Sequence, residues 1–258
     1  MAVKIVLAGH SHVHALGVPG RVNKQPPALV PIKHPTADIA GIVGAGDGAY
    51  WDAFVDAAAA RVPAVIWTGN QHYAHFLFRP EPALDFVLSA APHLPVDRAA
   101  HVVPEEMLRT FFAKSLTDLT RLLERLGKHS PFPPIVIGTP PPKGDPERLC
   151  ANIGKEVVLT QVAQRIGVTI EPSSLTDVRV MVKLWRLLQT MLAEIAAREG
   201  ATFVAVPPRL MTAEYLLLDK HWAADATHAN RAYGRVMLEE VVRHAGVQAA
   251  RVSGSKVA

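Results

Sequence analysis

Gly9-His10-Ser11-His12 follows directly on an apolar run at the start of the chain, and Asp225-Ala226-Thr227-His228 stands near its end. A serine hydroxyl is a weak nucleophile until a base takes its proton, and histidine is the usual base at neutral pH. A carboxylate three residues earlier on the same loop can accept the histidine's Nδ1–H and leave Nε2 aimed at the serine. Ser11, His228 and Asp225 thus offer the nucleophile, the base and the base-orienting carboxylate of an acyl transfer, in that chain order. Each has an ordinary explanation by itself: Ser11 as a helix cap, Asp225 as a turn residue, His228 as a surface histidine. Taken together, the three are better explained by chemistry. A serine at the carboxyl edge of a strand, just before a helix, also turns its own N–H towards a developing oxyanion.

The elements that must position these residues are readable in the apolar pattern. Runs at Val3 to Ala8, Asp38 to Val43, Ala64 to Thr68, Ile135 to Gly138 and Thr202 to Val206 lack polar alternation, as strands covered on both faces do. Between them, helices are expected at 50–61, 104–127, 155–166, 178–199 and 230–245. The 178–199 segment carries a broad stripe from Val178 to Ile195 that core packing explains. Alternation of strand and helix predicts a three-layer α/β/α sandwich on a parallel five-stranded sheet, one domain over 1–250 with 251–258 as a tail. Residues 17–37, 79–104 and 139–154 read as loops, and in such folds the loops at the carboxyl ends of strands shape the cleft.

Composition narrows the class. The 258 residues are 49% apolar and 19% charged, enough for one large ordered core. The net charge of +4 comes from scattered Lys and Arg, without the basic run that nucleic-acid binding needs. Cys150, the only cysteine, has no evident activating partner. No apolar run approaches the ~18 to 20 residues that span a bilayer, and no signal-peptide pattern precedes the first strand, so a cytoplasmic protein is expected.

On these residues the chain resembles the SGNH (GDSL-like) hydrolase family, whose motifs are an early Gly-Asp-Ser, a glycine after the second strand, Gly-x-Asn after the third and a late Asp-x-x-His. Ser11, then Gly44-Ala45-Gly46-Asp47-Gly48, then Trp67-Thr68-Gly69-Asn70, then Asp225 and His228 follow that order through nearly the whole chain. The resemblance implies a flavodoxin-like fold and a serine esterase, either a carbohydrate O-acetylesterase or a lipase-like enzyme, needing no metal or cofactor. Its substrate would be a small-molecule or glycan ester. The oxyanion hole it implies is made by the N–H groups of Ser11 and Gly46 and the Asn70 amide, with Gly44 and Gly48 as competitors for Gly46. His10, His12 and His72 are then candidates for substrate contact. Two positions depart from the family: His10 replaces the usual Asp beside the serine, and Gly69 and Asn70 are adjacent where the family spaces them by one.

Three other readings compete. His10, His12 and His14 alternate at the end of the first strand, as zinc-binding imidazoles do in metal-dependent hydrolases, yet eight barrel strands cannot be placed here. An O-acyltransferase acting on a glycan would use the same fold and residues. A non-catalytic binding protein would keep the scaffold alone. The glycine-rich 44–48 segment lacks the Lys-Ser/Thr of a phosphate loop. Trp51, Trp67, Tyr73, Phe76 and Phe78 gather near the second and third strand ends, as a pocket or as packing.

Overall fold

Apolar runs without alternation need cover on both faces, and the structure supplies it. In the computed structural model, residues 2–20, 26–67 and 71–254 are described. The first half runs β1 (Val3–Gly9), β2 (Ala28–Ile32), β3 (Ala37–Val43), α1 (Gly48–Ala57), β4 (Val62–Ile66), α2 (Gln71–Phe76), β5 (Leu84–Asp85) and β6 (His101–Val102). The second runs α3 (Glu105–His129), β7 (Ile135–Ile137), α4 (Pro146–Ile153), α5 (Val157–Arg165), α6 (Val178–Arg198), β8 (Thr202–Val204) and α7 (Arg231–Gly254). One sheet takes the order β2-β3-β1-β4-β7-β8. Every neighbour pair in it is parallel except β2 with β3.

Successive strand residues point to opposite faces, and the core divides accordingly. Val6, Ala8, Val65 and Val136 pack with α1, α3 and α6 through Phe54, Phe112, Leu119 and Leu188. Ile5, Leu7, Ala64, Ile66 and Ile135 pack on the other face against α7, through Tyr233, Met237 and Val241. The result is an α/β fold with helices on both sides of a mostly parallel sheet. Helix starts follow local chemistry: Asp47, Asp145 and Asp177 each accept a backbone N–H from the first turn of α1, α4 and α6, at 3.1, 2.9 and 2.7 Å.

The sheet has six strands among the described residues, not the expected five. The extra one, β2, contains Pro31, which lacks a donor; an edge position tolerates that, and β2 is the antiparallel edge. Two short helices, α2 and α4, were also not foreseen. The final helix continues through Gly254, into the stretch expected to be a tail. No described helix is long and apolar enough to cross a membrane.

Candidate active site

At the centre of the sheet the direction of strand succession reverses between β1 and β4, and the carboxyl ends of both strands meet there. This is the crevice in which open α/β sheets bind ligands. Gly9 pairs with Ile66 across it, and His10 N donates to Ile66 O at 3.3 Å. The Tyr50 hydroxyl of α1 closes the end of β1 from below, accepting from Gly9 N at 2.8 Å and donating to Gly9 O at 3.0 Å. Burial pushes that phenol up to about 12, even with its backbone bonds to Gly9, so it stays a neutral hydroxyl at physiological pH. The chain then enters a single 3₁₀ turn, Ser11–His14, whose first residue is Ser11. The turn contains no acceptor for Ser11's own N–H, and the Ser11 side chain is exposed.

The candidate base, His228, comes from the loop between β8 and α7. Ala223 N donates to His228 O at 3.1 Å and Asn230 N to His221 O at 2.8 Å, which folds residues 221–230 back on themselves. Asn230 then caps α7, its Oδ1 accepting from Ala232 N at 2.9 Å and Tyr233 N at 3.2 Å. Within the loop Asp225 Oδ1 accepts from the backbone N–H of Thr227 and His228, at 3.0 and 2.7 Å. Its other oxygen lies 3.0 Å from His228 Nδ1, and His228 Nε2 lies 2.7 Å from Ser11 Oγ.

Burial alone would raise the Asp225 carboxyl. The hydrogen bonds from the His228 ring and backbone outweigh it, helped by the charges of His228 and Lys143, and hold it well below the usual carboxylate range. An ionised Asp225 only accepts, so Nδ1 of His228 carries a proton, and in the neutral form of the ring Nε2 is the acceptor facing the Ser11 hydroxyl.

The remaining residues singled out by sequence take different places. Gly46, with φ at +74°, borders a cavity of about 260 Å³ that also touches Ser11, His14, Val18, Ile42 and Tyr50. Gly44 lines the same cavity. Asn70 lies outside the described residues, as do Thr68 and Gly69. His10 packs between Trp51 and Trp67, with ring centroids 5.5 and 4.7 Å away, and burial lowers its pKa. His12 and His72, expected to touch substrate, are buried, 2% and 1% exposed. The His12 ring lies 4.9 Å from that of His228, and His72 packs on Tyr73. His14 bonds to Val18 O at 3.1 Å. Among the described residues, no group of three or more His, Cys, Asp or Glu is arranged to hold a metal ion. Trp67, Tyr73 and Phe78 are core residues.

Three residues around the Asp225 loop carry no local sequence signal of their place there. Lys143 is buried beneath the loop; Asn152 Nδ2 donates to Asp225 O at 3.2 Å; Glu156 Oε1 accepts from Ala226 N at 2.6 Å. Asn230 did carry a signal, since Asn directly before an amphipathic stretch is a favoured helix cap. Compared with known protein families and curated proteins, the chain matches no family model and no curated sequence.

Proposed function

We propose that the chain is a serine ester hydrolase of the SGNH (GDSL-like) kind, acting on a small-molecule or glycan ester through an acyl-enzyme. The observation that carries this reading is the continuous relay Asp225–His228–Ser11, with contacts of 3.0 and 2.7 Å, at the crevice between β1 and β4. The five parallel strands, counted without β2, run 2-1-3-4-5, which is the flavodoxin-like order that the resemblance implies.

In the proposed reaction Ser11 Oγ attacks the ester carbonyl as His228 Nε2 takes its proton. The charge that develops on the carbonyl oxygen is met by the N–H groups of Ser11 and Gly46, with the Asn70 amide as the third donor implied by the resemblance. His228 returns the proton to the departing alcohol, leaving an acyl-serine. Water, deprotonated in turn by His228, attacks that acyl group and releases the acid and free Ser11. Asp225 holds the imidazole in the required tautomer and stabilises the imidazolium at both steps.

A fluorophosphonate probe tests the assignment. Peptide mapping is expected to find one adduct, on Ser11 of the wild type, and Ser11→Ala is expected to take up none and to lose hydrolysis of p-nitrophenyl acetate while keeping its circular dichroism. Esterase activity surviving in Ser11→Ala would sink the reading.

A further inference from the structure

Resting on the triad reading above, we propose that Lys143 is a positioning residue for the base: its buried ammonium, together with Asn152 and Glu156, holds the Asp225–His228 segment in the pose that presents Nε2 to Ser11. Lys143 lies in the loop between β7 and α4, and its side chain is 1% exposed. An ammonium has three protons to place, and burial makes each unplaced one costly. Here two of them are directed at one short piece of chain. Nζ donates to Asp225 O at 2.5 Å and to Ala223 O at 3.3 Å, and it stands 3.9 Å from the Asp225 carboxylate. Asn152 donates to the same Asp225 carbonyl, and Glu156 accepts from the next N–H, that of Ala226. The loop carrying the base therefore has its backbone tied from beneath at residues 223, 225 and 226.

The arrangement also explains why a cation is used. Its charge favours the ionised Asp225 that the relay requires, and charge-assisted bonds are roughly twice as strong as neutral ones. The Lys143 backbone is fixed in turn, since Lys143 N donates to the Tyr73 hydroxyl at 2.8 Å, and its ammonium lies 5.2 Å from the centroid of the Trp222 ring. The charged and titratable groups facing it are Asp225 from the base loop, Arg148 from α4, Glu156 from the turn before α5 and Tyr73 from α2. Burial lowers the Lys143 pKa; Asp225 and Glu156 resist that and Arg148 adds to it, leaving a value of about 8.

Two consequences of opposite sign follow. The unfolded chain binds this proton more tightly than the folded one, so the contribution of Lys143 to stability improves as pH rises from about 8 towards its ordinary value. The hold on the base loop weakens over the same interval, because the charge is lost.

Lys143→Met tests this, with Asn152→Ala as a second variant that leaves the charge in place. Fluorophosphonate labelling of Ser11 is expected to slow by about 10²-fold in Lys143→Met, the cost of a small misplacement of a reacting group, and less in Asn152→Ala. Wild-type labelling is expected to decline above pH 8, and Lys143→Met to lack that decline. The second readout needs no activity: the far-downfield proton signal of His228 Nδ1–H, bound to Asp225, is expected in wild type and weakened or shifted in both variants. Folded variants that label at the wild-type rate and keep that signal would overturn the proposal. If wild type itself fails to label, the hydrolase reading fails, and the His228 signal still decides the role of Lys143.

Discussion

The two oxygens of Asp225 have separate work: Oδ1 shapes the loop by accepting two backbone N–H groups, and Oδ2 orients the imidazole. Asp225→Asn separates the two effects. Its amide oxygen can keep the backbone bonds, but its NH₂ then faces Nδ1, forces the proton onto Nε2 and leaves Ser11 without a base. The expected loss in kcat is about 10⁴-fold, with the loop intact, and steady-state kinetics on p-nitrophenyl acetate checks it. The same variant tests the lowered pKa. A depressed carboxyl adds stability that is fully present above the ordinary carboxylate range and is lost as pH falls through its folded value. The difference in Tm between wild type and Asp225→Asn should therefore shrink as pH drops below about 4; a difference constant down to pH 2 would mean that Asp225 is not held ionised. These residues were legible in the sequence because the Asp-x-x-His spacing is local and Ser11 sits at a strand end. Lys143 was not legible, because its burial depends on how a proline-rich loop packs beneath a segment 80 residues further on.

Among the elements, α7 packs closely on the chain at Ala15, just past the Ser11–His14 turn. A Cβ on Gly234 would stand 1.7 Å from Ala15 O, so α7 can press on the chain just after the Ser11–His14 turn only because residue 234 is glycine. That contact joins the end of the turn bearing Ser11 to the first turns of the helix that follows His228. Gly234→Ala must push α7 away, at a typical overpacking cost of about 1–3 kcal/mol, and should slow labelling of Ser11. Gly246→Ala is the control on the same helix: nothing lies within 4 Å of its Cβ position, so the usual helix preference for Ala over Gly, about 0.5–1 kcal/mol, should stabilise the protein and leave labelling unchanged. Denaturant unfolding and labelling rates on both variants decide this, and equal behaviour of the two would remove the packing argument. The longer elements could be read from sequence because periodicity accumulates with length, as in α3 and α6 with their buried leucine stripes. The misses were elements too short or too exposed for that: β2 with its proline, α2 of six residues and α4 of eight.

Across the whole molecule, α6 connects the site to the irregular segment between α2 and α3. At one point Gln189 and Trp185 bond to Thr139, at 2.8 and 3.0 Å, and fix the start of the loop that delivers Lys143. One turn and more towards its N-terminus, Lys183 forms a buried ion pair with Asp85 and donates to Phe86 O and Pro95 O, at 3.0 and 3.1 Å. Asp85 completes its shell by accepting from Phe86 N and Asp97 N, at 2.7 and 2.9 Å. This pair binds a stretch with little secondary structure of its own to the core, and it touches none of Ser11, His228 or Asp225. Removing one partner leaves a buried charge uncompensated, which typically costs about 3–5 kcal/mol, whereas removing both leaves none. Urea unfolding of Lys183→Met, Asp85→Asn and the double variant is expected to show the double losing clearly less than the sum of the singles. Labelling of Ser11 in the same proteins, measured well below their melting temperatures, should stay near the wild-type rate. A strongly slowed but folded Lys183→Met would mean instead that α6 transmits the position of the segment to the Lys143 loop, and that stability and reactivity in this molecule cannot be separated along that helix.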